Sequence, residues 1–288
     1  MKLYRLRAEN IKSVNVKKSN IWEPKKNIEN KTVLVYSNCG LGDSIMDSRY
    51  LPLLKMKAKE VILQTDKPTT TKIRIISGHQ QMFRMDFEDS SPKGDEHFAK
   101  LESYVTKRLN DAFDAVVIAD YEKGVCTEFF CSAVIKAAHS HGVPVVVMPY
   151  GQRWIKYAQA DYLTPNIAKI NKVMLSPVDG GDNDAVERAG RYVMRKFKVK
   201  NVLATRSAYG VTLITENDVV HIPTKFQEVF DSAGAADTVA AIFTISLAGG
   251  LKPADGAYIT NIAAGVVISK SGTYAVTRND IFKALNAN

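Results

Sequence analysis

Hydrophobic positions along this chain fall into two alternating kinds of run. Continuous apolar stretches of strand length, rich in β-branched residues, occur at 33–36, 60–64, 115–119, 144–148 and 201–205, with a weaker one at 160–164. Between the later ones, residues 127–141 and 183–197 place apolar side chains at helical spacing, and Thr127 stands where an N-cap is expected. Strands alternating with helices predict a mostly parallel sheet covered on both faces. Two segments break the alternation. Residues 72–77 and 82–87 flank Gly78-His79-Gln80-Gln81 and read as a hairpin, as do 211–215 and 219–222 around Glu216-Asn217-Asp218. Two long helical stretches, at about 235–249 and 254–270, close the chain, and no internal repeat is present.

Composition bounds the reading. With 288 residues and 45% hydrophobic content, the chain can build one large domain or two small ones. No apolar run approaches the length of a membrane span, and the first residues lack the apolar core of a secretory signal, so a cytoplasmic protein without a membrane partner is expected. Cys39, Cys126 and Cys131 are odd in number and lack metal-ligand spacing, as reduced thiols would. The net charge of +9 is unevenly placed. Residues 1–31 hold nine Lys/Arg against three Asp/Glu, leaving 30 basic and 27 acidic groups in residues 32–288. Residues 1–31 therefore read as a basic N-terminal arm, either solvated or touching an anionic surface. They lack the interleaved aromatics that single-stranded nucleic acid favours, and no nucleic-acid partner is expected.

The chemistry concentrates in one turn. Asp231-Ser232-Ala233-Gly234-Ala235-Ala236-Asp237-Thr238 precedes a long apolar helix. Small residues let the backbone approach a ligand. The first amides of a helix are unpaired and the dipole there favours an anion. Asp237 is an acid at that same place, with no cation beside it in sequence. Two readings follow. Either it complements the helix dipole, or it accepts a proton from an attacking hydroxyl while amides and Mg²⁺ stabilise a transferring phosphate.

This turn resembles the Asp-Thr-x-Gly-Ala-Gly-Asp signature of ribokinase-like (PfkB-type) sugar kinases. Further segments are similar to the kinase domain of bacterial heptose-phosphate kinases, in the same order over about residues 66–280. They include Asp66-Lys67-Pro68 with Thr69 to Arg74, His79-Gln80-Gln81, Arg84-Met85-Asp86, Asp120-Tyr121-Glu122-Lys123-Gly124, Leu163-Thr164-Pro165-Asn166, Thr205-Arg206-Ser207, Asn261 to Gly265, and Lys270-Ser271-Gly272-Thr273. The resemblance implies a three-layer α/β/α sandwich with a mostly parallel sheet and a reduced β lid, formed by residues 32–288. It implies ATP and Mg²⁺, a phosphorylated heptose or related sugar as substrate, and surface-glycan synthesis such as that of lipopolysaccharide. Asp237 would be the general base, and Gly234, Ala235 and Ala236 the anion hole. Thr205, Arg206 and Gly210 would lie near the ATP phosphates or ribose, with Asn261 and Ala264 beside the adenine. Asp120 and Asn166 would face the sugar. His79, Gln80, Gln81 and Arg84 would belong to the lid, which in this family also contributes to a homodimer.

Four departures cluster at the same site. The early Gly-Gly-Ala-x-Asn loop is missing. The segment at Gly42 and Asp43, with Asp47, is either its remnant, carrying a sugar-binding carboxylate, or similar to the opening turn of heptosyltransferase-type enzymes. Met148-Pro149-Tyr150 stands where the family has Asp-Pro-Lys, and Lys169 where its Asn-x-x-Glu motif has the glutamate that organises Mg²⁺. A lysine there either repels the metal, by a few kcal/mol at about 4–6 Å and intermediate dielectric, or points to solvent. Ala236 replaces the second glycine of the signature. These departures leave a second reading open, a non-catalytic relative that binds nucleotide or sugar phosphate as a regulatory or assembly partner.

Overall fold

The computed structural model describes residues 32–34, 60–62, 71–77, 80–87, 113–224, 232–270 and 274–286, with 99, 103, 105 and 107 as single helical positions. The basic arm 1–31, Asp43, Asp47 and His79 lie outside the described residues. Strands β1 (Thr32–Leu34) and β2 (Glu60–Ile62) pair in parallel. Strands β3 (Thr71–Ser77) and β4 (Gln80–Phe87) form the expected antiparallel hairpin, with a register shift after Ile75. Gln80 opens β4, and Arg84 lies opposite Arg74.

The central sheet has the order β10-β9-β8-β7-β6-β5. Strands β5 (Val116–Ala119), β6 (Val145–Met148), β7 (Tyr162–Leu163) and β8 (Asn201–Thr205) run parallel. Strands β9 (Val211–Ile214) and β10 (Val219–Ile222) extend it antiparallel. The weak stretch at 160–164 thus shrinks to two strand residues. Its start is consumed by the turn that closes on Tyr157, whose carbonyl accepts the Ala160 amide, and its end is followed by Pro165.

Because strand side chains alternate between faces, the apolar runs feed two cores. Val145, Val147, Val202 and Ala204 pack with helices α1 (Glu128–Ser140) and α3 (Asn183–Phe197) and with the 3₁₀ turn Trp154–Tyr157. Val146, Leu203, Leu213 and Ile222 pack on the other face, with Val239 and Phe243 of α4 (Ala235–Ala248) and Ala257 of α5 (Pro253–Ile268). The result is three layers. Trp154 and Tyr157 are fully buried, and Phe243 meets Tyr162 edge-on at 5.0 Å. Helix α6 (Arg278–Asn286) packs on α5.

Helix starts follow their caps. The Thr127 hydroxyl accepts the Phe130 amide at 3.2 Å, and Asp182 accepts that of Ala185 at 3.0 Å. The short α2 (Ile167–Asn171) begins at Asn166, whose Oδ1 accepts the Lys169 amide at 2.8 Å. His141 caps the end of α1, its ring nitrogen 2.8 Å from the Ala137 carbonyl. His139 does something the spacing could not indicate. Its Nε2 lies 2.8 Å from Asp161, which also accepts the Val145 amide at 2.8 Å and Lys200 Nζ at 2.7 Å, pinning the N-terminal ends of β6, β7 and β8 together.

Candidate active site

Parallel strands deliver their C-terminal ends to one edge, and the loops that leave them carry the polar groups. Ala119 leads to Asp120 and Tyr121, Met148 to Pro149 and Tyr150, Leu163 to Thr164 and Asn166, and Thr205 to Arg206. Gly234 starts α4 with φ +83°, a left-handed conformation that glycine adopts without strain. No side chain among the described residues caps this start, and the Ala235 amide donates to the Ser232 carbonyl at 3.2 Å, so the amides of Ala236 and Asp237 are the first-turn donors an anion site would use. Ala235 and Ala236 are the first two helical residues, and Asp237 is the third. A Cβ at position 236 is therefore accommodated by helical backbone.

Asp237 meets the strand edge through Tyr121, whose hydroxyl donates to Asp237 Oδ1. The acid that had no cation beside it in sequence lies near enough to Lys169 to act on its ammonium. Burial lowers the Lys169 ammonium below its ordinary value, and Asp237, then Asp120, pull it back up. Lys169 is half-buried, and its Nζ lies 5.6 Å from the centroid of the Tyr150 ring. Lys172 lies 5.5 Å from the same centroid. The two substituted positions, 150 and 169, thus form one unit. Lys169 is held half-buried on the Tyr150 ring and is not a freely solvated side chain.

Asp120 is 2% exposed. Its Oδ2 accepts the Tyr157 hydroxyl and lies 2.5 Å from Lys156 Nζ, while Oδ1 accepts the Glu122 amide at 2.6 Å. Burial and the neighbouring carboxylate push the Tyr157 hydroxyl far above its usual range, keeping it a donor. Asp120 is thus the centre of a buried network that shapes the loop carrying Tyr121. Glu122 in that loop has φ +57°, which the Asp120 contact helps hold. Tyr121, Lys156 and Tyr157 received no site role from sequence. The signal was an acid directly followed by tyrosine at a strand end.

On the other side of the edge, Asn166 and Thr205 form a parallel bridge, and the Thr205 amide donates to Pro165. Arg206 is buried, with Nε donating to the Gly180 carbonyl at 2.7 Å and Nη1 to Thr212 Oγ1 at 2.9 Å. Its guanidinium braces the loop at Gly180 against β9. Gly210 has φ +84°, and a Cβ there would stand 2.1 Å from the Ile222 carbonyl. Asn261 Nδ2 donates to the Pro223 carbonyl at 2.9 Å, joining α5 to the end of β10, and Ala264 packs against the second core. Asp237, Asn166, Thr205 and the Asp120 loop therefore share one sheet edge, while Gly210 and Asn261 frame the segment after β10. Gln80 and Arg84 stay on the separate β3–β4 hairpin.

An α/β/α sandwich with an acid at the anion-type start of α4 defines the fold class of ribokinase-like enzymes. The chain matches Arabidopsis thaliana ribokinase complexed with ribose and ATP with a TM-score of 0.67 at 17% identity, over 88% of this chain and 82% of that one. Residues 54–280 match the model of the pfkB family carbohydrate kinases. The bifunctional protein HldE of Methylobacillus flagellatus is 35% identical over 221 residues, and that of Shewanella piezotolerans 40% over 222, each covering 77% of this chain. The chain belongs to the pfkB family of carbohydrate kinases. It spans 45% of the length of these two relatives. Among the described residues, no helix is long and apolar enough to cross a membrane.

Proposed function

We propose that the chain transfers the terminal phosphate of ATP to a hydroxyl of a sugar phosphate of the heptose type, in the synthesis of an activated surface sugar. The observation that carries this is Asp237 in the first turn of α4, held against the C-terminal sheet edge by Tyr121. Its carboxylate accepts the proton of the sugar hydroxyl as that oxygen bonds the terminal phosphorus. The bond from phosphorus to the bridging oxygen breaks, and ADP leaves with the electron pair. The amides of Gly234, Ala236 and Asp237 receive the equatorial oxygens of the transferring group, that of Ala235 being held by the Ser232 carbonyl. Mg²⁺ would arrive with ATP, held by the nucleotide phosphates and water, with no direct protein ligand assigned, because Asp237 is kept for the proton and Lys169 stands at the family's metal-organising position. Bound there, Mg²⁺ supplies neutralisation of the phosphate charge. Gly210, Asn261 and Ala264 would receive the nucleoside, with Asn166 and the lid residues Gln80 and Arg84 toward the sugar.

ADP release measured with a panel of sugar phosphates tests this. Asp237→Asn keeps size and hydrogen bonding but removes the proton acceptor, so kcat should fall by roughly 10²–10⁴-fold with little change in nucleotide affinity. Turnover unchanged in this variant would overturn the mechanism.

A further inference from the structure

The charges at the strand edge do not cancel in place. Asp120 is matched by Lys156 and Tyr157. Lys169 and Lys172 stand on one tyrosine ring, at 5.6 and 5.5 Å from its centroid, close enough for Lys172 to depress the Lys169 ammonium while Asp237 and Asp120 raise it. Lys169 is half-buried, so its ammonium has given up part of its water. Each cation–π contact returns only about 0.5–1 kcal/mol at a partly exposed site. Two ammonium groups beside one ring repel each other, and a further anion between or beside them would relieve that repulsion. The start of α4, which also favours an anion, opens onto the same edge through Asp237.

We propose that Lys169 and Lys172, set against Tyr150, are phosphate-binding cations of this site, recognising a phosphate group of the nucleotide or of the phosphorylated sugar. This rests on the kinase reading only for the identity of the ligand. The charge arrangement favours an anion with several oxygens, whichever molecule carries it. A compact ammonium binds phosphate as a point charge, so the two lysines can follow a phosphate that changes position during transfer.

Calorimetric titration of the full chain tests the inference, with ADP, inorganic tripolyphosphate and mannose 6-phosphate as probes and adenosine as the uncharged control. Lys169→Gln should weaken at least one phosphate probe by about 10- to 100-fold, the loss of one charge-assisted contact, and leave adenosine unchanged. Loss in the ADP arm assigns the nucleotide phosphate, and loss in the mannose 6-phosphate arm assigns that of the sugar. Lys169→Arg should restore most of the affinity. Lys172→Gln, at an exposed position where folding is not at stake, should cost about 3- to 10-fold on the same probe. Phosphate affinities unchanged in both glutamine variants, or no phosphate probe bound by the unmodified chain, would overturn the proposal. Lysine-dependent phosphate binding without ADP release from any sugar phosphate would sink the kinase reading and leave this one standing.

Discussion

Removing the Asp120 carboxylate probes both the stability and the catalytic geometry of this chain. In Asp120→Ala, Lys156 Nζ, 15% exposed, loses the carboxylate 2.5 Å away, and the buried Tyr157 hydroxyl loses its acceptor. Breaking a buried pair by removing one partner costs about 3–5 kcal/mol, mostly because the other charge is left in low dielectric. For a domain of this size that corresponds to a fall in Tm of roughly 6–15 °C. Tyr157→Phe removes one neutral donor and leaves Asp120 with Lys156 and the Glu122 amide, so about 1–2 kcal/mol is expected. Asp120→Asn turns an acceptor between two donors into a donor, and its cost should approach that of alanine. Adding Lys156→Met to Asp120→Asn should recover about 1–3 kcal/mol through non-additivity. Urea unfolding of the four variants measures this directly. Activity should fall with stability in Asp120→Ala, because the Glu122 amide that Asp120 anchors lies next to Tyr121. If Asp120→Ala lies within about 1 kcal/mol of the unmodified chain, a surface-like value, the buried-network reasoning is refuted.

Three further outcomes are expected. Tyr121→Phe removes the hydroxyl that holds Asp237 and should lower kcat by roughly 10- to 100-fold with KM for ATP nearly constant; a change confined to KM would contradict a positioning role. Gly210→Ala sets a Cβ against the Ile222 carbonyl at 2.1 Å on backbone with φ +84°, so a loss above about 3 kcal/mol is expected by urea unfolding, and a neutral result would mean this turn is not held as described. At Asp161, burial pushes the carboxyl up, but Lys200, the Val145 amide and His139 outweigh it and hold it below its ordinary value of 3.8. Its contribution is therefore fully present above that value and is lost as pH falls below it, so the stability gap between the unmodified chain and Asp161→Asn should close below about pH 4.

Much of the architecture was legible in the chain itself. The β-branched runs at 116–119, 145–148 and 201–205 have strand length and no polar interruption, and the helix at 183–197 carries its own cap in Asp182. Such elements are specified by local periodicity and capping, which sequence carries directly. The turn at 234–237 was equally legible, since a glycine with positive φ and an acid one turn into an apolar helix are local features. What remained out of reach depends on contacts between residues far apart in the chain. Tyr121 and Asp237 are separated by 116 positions, Asp120 and Tyr157 by 37, and Asp161 and Lys200 by 39. Sequence made Asp120 a substrate-facing acid and left Lys169 open between metal repulsion and solvent. Only the parallel sheet, which brings the ends of β5, β6 and β7 to one edge, shows that Asp120 meets Lys156 and Tyr157. The same edge seats Lys169 half-buried on the Tyr150 ring, because the surroundings of a charged side chain are set by which neighbours the fold brings to it and not by its place in a motif.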